Sequence, residues 1–303
     1  MRNFVLFFLL IAMTLSCSRT PGDVKTIDPG ETYSEDQGDR AVDGYKPLRV
    51  AVSAILSPQE TYENYEAFFD YISQEMEMPV EFHQRQTYAE INQMLEQGQL
   101  DFAFICTGAY VDLDPASGLE LLAIPVTRGK AFYKAYIITQ TTFQAQGFED
   151  LRSASFAFTD PLSNTGYLYA LSRLNEIGET PERFFDSTIF TYAHDTSIQM
   201  VSKGVVEAAT VNQLIFDYTK VHYPEIINNV KVIEKSEAFA NPPVVITDRL
   251  NHDDKNKLIR LFMSMHQHPQ GKMLLNDLAI DKFVEAKDAD YDAVRAMKSL
   301  QVN

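Results

Sequence analysis

The sequence predicts an α/β protein of two lobes, each a mainly parallel sheet flanked by helices, with a cleft between them. Three observations carry this. Short apolar runs alternate with helix-period segments along almost the whole chain, the pattern of parallel strands covered by helices. The 303 residues exceed one compact core and suit two units of roughly 100–150 residues each. A complete second strand–helix series also lies between two parts of the first, so the chain must cross between the units twice.

The alternation opens at Leu48, where residues 48–55 (LRVAVSAI) read as a buried strand. Tyr65, Phe68, Phe69, Ile72 and Met76 recur at three- and four-residue spacing, the apolar stripe of a first helix. Val80–His83 is the next strand, and Tyr88–Glu96 a helix ending at Gly98. Residues 101–105, 119–125 and 134–139 read as further strands. From about Thr139 the second series runs: strand Ser155–Phe158, helix 165–177 stopped by Gly178, strand 188–192, and helix 196–203 stopped by Gly204. Strand 207–211, a short helix near 213–219 and strand 230–234 complete it. Residues 243–247 are the strand that returns to the first lobe. Helices finish the chain: Asn251 caps a run with Leu258, Leu261, Phe262 and Met265, residues 271–278 follow, and Asp288 caps Tyr291, Val294 and Met297. The expected division is residues 47–138 and 246–303 in lobe 1, with 139–245 in lobe 2.

The stretch before Leu48 reads as an export and tethering segment. Arg2 gives the positive start, and the apolar run from Phe4 to Ala12 has signal-peptide length, far short of the roughly 20 residues of a membrane span. It ends in Thr14-Leu15-Ser16-Cys17, which resembles a bacterial lipobox, so residues 1–16 are expected to be removed and Cys17 lipidated. Residues 17–46 are rich in Gly, Pro, Asp, Glu and Ser and read as a flexible linker. The expected location is the periplasmic or extracellular face of a bacterial membrane. With Cys17 acylated, Cys106 stands alone in an apolar stretch and reads as a small buried hydrophobe.

Charge narrows the function classes. Lys+Arg 26 against Asp+Glu 42 gives −16, and loss of Arg2 with the leader makes the mature value 25 − 42 = −17. A nucleic-acid binder needs a basic face, so that class is set aside.

Two strand-to-helix turns carry chemistry. In Phe156-Ala157-Phe158-Thr159-Asp160-Pro161-Leu162-Ser163-Asn164-Thr165-Gly166 an apolar strand ends and a helix starts after Ser163. The first turn offers free N–H groups at Asn164, Thr165 and Gly166 and hydroxyls from Ser163 and Thr165, a set that suits an anion, with Gly166 permitting close approach. In Tyr192-Ala193-His194-Asp195-Thr196 a histidine stands at the carboxyl end of a strand, where ligands of open α/β sheets bind, and Asp195 reads as the cap of the next helix.

Together the two stretches resemble a family. Asp160-Pro161-Leu162-Ser163-Asn164-Thr165-Gly166-Tyr167-Leu168, followed by His194-Asp195 and Val206-Glu207-Ala208-Ala209-Thr210, are similar to the motifs of the phosphonate, phosphate and phosphite substrate-binding proteins of ABC transporters, with Glu207 standing for the family's Asp. The likeness covers about residues 48–285. It implies the two-lobed type II periplasmic-binding fold, a phosphorus oxyanion as ligand, and an ABC permease as partner, for a monomer without cofactor or metal. It further implies Ser163, Asn164 and Thr165 on the anion, His194 as a further donor, and Tyr88 and Tyr133 contributed from the first lobe. Arg85 and Lys130 could add to the local field.

One departure bears on the ligand. Aminophosphonate binders of the family hold the amine with two carboxylates, where this chain has Leu214 and Pro242. An unaminated ligand is therefore expected, unless Glu60, Glu63 or Glu207 reaches the site. Other classes fit less well. Ser163, His194 and Asp195 have the residue types of a hydrolytic triad, but adjacent His-Asp side chains cannot easily face each other. His266 and His268 diverge at i,i+2 on a helix end, without a carboxylate cluster to complete a metal site. A receptor presenting its ligand state to a membrane sensor kinase uses the same fold and cleft as a transport protein.

Overall fold

A computed structural model of the chain describes residues 46–299. The leader, Cys17 and nearly all of the linker lie outside the described residues. Among the described residues thirteen strands occur in chain order: β1 (Leu48–Val52), β2 (Val80–His83), β3 (Phe102–Phe104), β4 (Glu120–Val126), β5 (Phe132–Tyr133), β6 (Ala135–Gln140) and β7 (Ser155–Phe158), then β8 (Ser187–Phe190), β9 (Ala208–Asn212), β10 (Val230–Lys235), β11 (Phe239–Ala240), β12 (Val244–Ile246) and β13 (Lys282–Val284).

They form two main sheets. The first has the order β13-β4-β12-β3-β1-β2, and the second β10-β6-β9-β7-β8. Parallel pairs, β1 with β2 and β3, and β7 with β8 and β9, form one side of each sheet and follow from the strand–helix connections, because a parallel neighbour needs a crossover helix. Antiparallel strands form the other side, so the sheets are more mixed than the alternation alone suggests.

The first sheet packs on the helices Pro58–Met76 and His252–Ser264 through Phe68, Phe69, Phe102, Phe104, Phe262 and Phe283. Phe68, Phe102, Phe262 and Phe283 have almost no exposed surface. Edge-to-face contacts among these rings, such as Phe68–Phe104 at 5.7 Å and Phe102–Phe262 at 5.8 Å, place each ring's positive edge on its neighbour's negative face. The second sheet has a core on each face: Phe148, Phe156, Phe158 and Phe184 on one, Ile138, Ile198, Val201 and Val211 on the other.

Three sequence expectations about chain placement change. β6 pairs with β9 and β10 and belongs to the second sheet, so the first crossing comes before Ala135, not near Thr139. An apolar run buried on both faces shows that it is a strand but not which sheet it joins. The return crossing is at β11; β12 lies within the expected returning strand 243–247 and pairs with β3 and β4 from Val244, so the lobe boundary falls ahead of the expected residue 246. The two crossing segments pair with each other, β5 antiparallel to β11 with Phe239 opposite Tyr133. Finally, the terminal helix Asp292–Ser299 buries Val294 and Met297 in the core of the second sheet, although it follows the first lobe's helices in sequence. Its apolar stripe fits either lobe, and contact alone decides.

Candidate functional site

The loop after β7 bends sharply. Asp160 Oδ1 accepts from Leu162 N at 2.8 Å, and Ser163 caps the next helix by accepting Gly166 N on Oγ at 3.0 Å. The first turn, Asn164–Leu168, is a wide π turn in which Leu168 N reaches Ser163 O at 3.0 Å, before the α-helix Tyr169–Glu176. Such one-turn π segments recur at binding sites because they turn the leading N–H groups and side chains off the ordinary helical path. Gly166 serves this turn differently from the sequence expectation. A Cβ there would lie 2.4 Å from Thr159 Oγ1 and 2.8 Å from Ser163 Oγ, so its bareness makes room for protein atoms.

The second stretch also departs from expectation. His194 is the first residue of the helix His194–Ser202, and Asp195 does not cap it. Tyr192 precedes it in the left-handed region at φ 59°, an unusual conformation for a bulky residue, held by Tyr192 N donating to Thr159 O at 2.8 Å. Asp195 instead accepts Ser57 N from the first lobe on Oδ1 at 3.0 Å. A carboxylate one residue inside a helix can satisfy a donor elsewhere, and sequence cannot show that donor.

These turns bring most of the expected residues together. His194 has no exposed surface, and its Nδ1 accepts Asn212 N at 3.1 Å, with Thr159 Oγ1 also 3.1 Å away. A backbone N–H can only donate, so the neutral ring carries its proton on Nε2, which faces Ser163 Oγ at 3.4 Å. Burial pushes the His194 pKa down to about 3, so the ring is a neutral donor at neutral pH. Asn164 Nδ2 donates to the Tyr133 hydroxyl at 3.1 Å, Tyr133 donates to Thr107 Oγ1 at 3.2 Å, and Thr107 donates to Ala240 O at 3.0 Å. Tyr88 heads the helix Tyr88–Glu96, and its N–H donates across the cleft to Asp160 Oδ2 at 3.0 Å. Burial pushes both the Tyr88 and Tyr133 phenols above their ordinary range, so both stay protonated.

Sequence reasoning missed four contributors. Ser53, at the end of β1, is fully buried. The Cys106 thiol is buried and unpaired, lies near the N–H groups of Asn164 and Gly108 and the Ser163 hydroxyl, and has its pKa raised by burial. Thr107 anchors the Tyr133 phenol. Gly108 admits the opposite lobe: a Cβ there would meet Leu162 O at 2.2 Å and Asn164 N at 2.8 Å. Three of these follow β3, where the rule for the carboxyl ends of parallel strands could have found them. Arg85 is exposed and bonds Gln84 O, outside the cluster.

Four buried polar atoms in this cluster have no hydrogen-bond partner among the described residues: Ser53 Oγ, Tyr88 OH, Asn164 Oδ1 and Thr165 Oγ1. Buried polar groups are satisfied in the great majority of cases, so these four are open to a further partner; the three hydroxyls can donate, whereas Asn164 Oδ1 can only accept. No Lys or Arg side chain takes part in the hydrogen bonds just described. The Asp160 carboxylate beside the cluster has an oxygen on each of Tyr88 N and Leu162 N, and Asp195 accepts Ser57 N. The arrangement can therefore surround an anion with neutral donors from both lobes, worth most where water is excluded. Among the described residues, no group of three His, Cys, Asp or Glu side chains converges as a metal site, and no helix is long and apolar enough to cross a membrane.

Residues 50–291 match the model of a family described as the phosphonate periplasmic substrate-binding proteins of ABC transporters. The chain is 24% identical over 260 residues to the phosphonates-binding periplasmic protein of Escherichia coli, covering 83% of this chain and 76% of that one. It is 26% identical over 273 residues to the phosphate-import protein PhnD of Mycolicibacterium smegmatis, covering 82% and 84% of the two chains. Among solved structures, a binding-protein component of an ABC phosphonate transporter from Pseudomonas aeruginosa superposes with a TM-score of 0.78 at 25% identity, covering 84% of this chain and 87% of that one. This chain therefore belongs to the phosphonate-binding family of ABC-transporter periplasmic substrate-binding proteins.

Proposed function

We propose that this protein captures a small phosphorus oxyanion without an amine (phosphate, phosphite or an unaminated phosphonate) and delivers it to an ABC permease while tethered to the membrane through a lipidated Cys17. The observation that carries the reading is the buried, uncharged cluster of Ser163, Asn164, Thr165, His194, Tyr88 and Tyr133, in which the Tyr88 and Thr165 hydroxyls lack hydrogen-bond partners. The names of the two relatives, one a phosphonate binder and one a phosphate importer, agree with an anion of this chemistry. Ser163 Oγ, the N–H groups that open the helix and the Nε2–H of His194 donate to the phosphoryl oxygens, at roughly 1.5–3 kcal/mol for each bond to a charged acceptor.

The absence of an amine rests on the cleft beside the cluster. Leu214 and Pro242 both line it, and neither carries charge. The acids that sequence left open as amine partners are occupied elsewhere: Glu207 accepts Ser155 N at 2.7 Å, Glu60 accepts the Tyr223 hydroxyl at 2.7 Å, and Glu63 accepts Gln59 Nε2 at 2.8 Å. An ammonium in this cleft would be desolvated without a partner, at a cost of several kcal/mol. Competition calorimetry with ethylphosphonate and 2-aminoethylphosphonate isolates the amine. The expected result is at least about hundredfold preference for ethylphosphonate, and tighter binding of the aminated compound would refute it.

A further inference from the structure

A cavity of about 820 Å³ lies between the two sheets, against the anion cluster. That volume falls within the roughly 300–1,000 Å³ of pockets that enclose whole organic ligands. A bare four-oxygen anion is the bulk of a few waters, at roughly 30 Å³ each. Three residues belong to both places. Ser53 lines the cavity and has an unsatisfied hydroxyl, Tyr133 lines it while its phenol bonds Asn164, and Asn212 lines it while its N–H holds His194. These three residues join the cavity to the oxyanion cluster.

Its walls state what they would accept. Ile55, Leu56, Tyr65, Phe104, Leu214 and Ile215 give an apolar surface contributed by both lobes. The charged residues on it are Arg128, Lys130, Lys134 and Lys235 against Asp217 alone, and Asp217 is already paired with Arg128 at 2.9 Å. In a chain of net charge −16 this local excess of cations disfavours a positively charged substituent and tolerates an anionic one.

We infer that the natural ligand is a phosphoryl anion carrying an apolar, uncharged substituent of about phenyl or hexyl size, its phosphoryl oxygens in the cluster and its substituent in the cavity. This rests on the oxyanion reading above and narrows it, placing bare phosphate, phosphite and methylphosphonate as weak ligands. The shared chemistry is the phosphoryl group, and its bridging atom, carbon or ester oxygen, is left to the experiment.

Calorimetry on the full soluble body compares phosphate, methylphosphonate, phenylphosphonate, hexylphosphonate and phenyl phosphate. Phenylphosphonate or hexylphosphonate should bind at least about tenfold more tightly than methylphosphonate, about 1.4 kcal/mol. Phenyl phosphate binding as tightly as phenylphosphonate would extend the class to monoesters, and weaker binding would confine it to carbon–phosphorus compounds. Either result keeps the inference. Equal or tighter binding of methylphosphonate or phosphate overturns it and leaves the oxyanion reading standing. No binding by any of the five overturns both. Leu214→Trp fills the cavity from its wall and should bring the phenylphosphonate-to-methylphosphonate ratio towards one. An unchanged ratio in that variant places the substituent elsewhere and overturns the inference.

Discussion

Acid should weaken this protein through His194, in an amount the surroundings of the ring set. The imidazole is wholly buried and accepts Asn212 N on Nδ1 at 3.1 Å, so protonation would point a new N–H at an existing one inside the core. Its pKa falls from 6.5 to about 3 for that reason of burial. A depressed pKa contributes stability that is complete above the unfolded value of 6.5 and is lost as pH falls towards about 3. At about 1.4 kcal/mol per pH unit, the loss by about pH 4.5 is ~3 kcal/mol, a large part of a typical folding free energy. Asp160 and Asp195 work in the opposite sense. Burial raises both, so they favour the folded state at low pH and lose that contribution as pH rises. Only a comparison with a variant isolates the ring. His194→Asn places an amide oxygen near the Nδ1 position and cannot titrate, so its urea-unfolding free energy should fall less than that of the wild type between about pH 6.5 and 4.5, by ~2 kcal/mol. Parallel stability curves for the two proteins would refute the buried neutral histidine.

Two further outcomes follow from the same geometry. Gly108→Ala puts a methyl against Leu162 O and Asn164 N across the cleft. Ligand affinity should fall about tenfold to a hundredfold, from an overpacking cost of roughly 1–3 kcal/mol. X-ray scattering with saturating ligand should show a less contracted particle than the wild type gives. Wild-type affinity in this variant would mean that the ligand-bound protein does not pack Gly108 against Leu162 and Asn164. For the tether, Cys17→Ala should move the protein from the membrane fraction to the soluble fraction, measured by detergent partitioning. A variant that stays membrane-bound like the wild type would contradict lipidation.

The parts of this molecule legible in the sequence share a local cause. Phe68, Phe69, Ile72 and Met76 announce their helix by spacing, and Ser163 with His194 announces the cluster by a strand-to-helix turn, because both signals are complete within a dozen residues. What stayed hidden depends on distant chain segments. Ser53, Cys106 and Gly108 become part of the cluster only when the loops after β1 and β3 meet the loop after β7. Asp195 faces a donor 138 residues away in sequence. The allegiance of β6 and of the terminal helix to the second sheet is set by which apolar surface remains uncovered, and no single run encodes that. Leu214 and Pro242 are an intermediate case. The family resemblance singled them out, and both line the cavity beside the cluster.

The claim that the helix opened by Ser163 grips a phosphorus oxyanion is tested most directly by titrating the Ser163→Ala/Thr165→Ala protein. Phosphate, phosphite, methylphosphonate and phenylphosphonate are first ranked on the wild type by calorimetry, and the tightest is used for both proteins. Removing two hydroxyl donors to a charged group, each worth roughly 1.5–3 kcal/mol, should weaken binding by roughly a hundredfold to ten-thousandfold. The double variant should still unfold cooperatively. Affinity equal to wild type in a folded double variant would put the anion somewhere else and contradict the account.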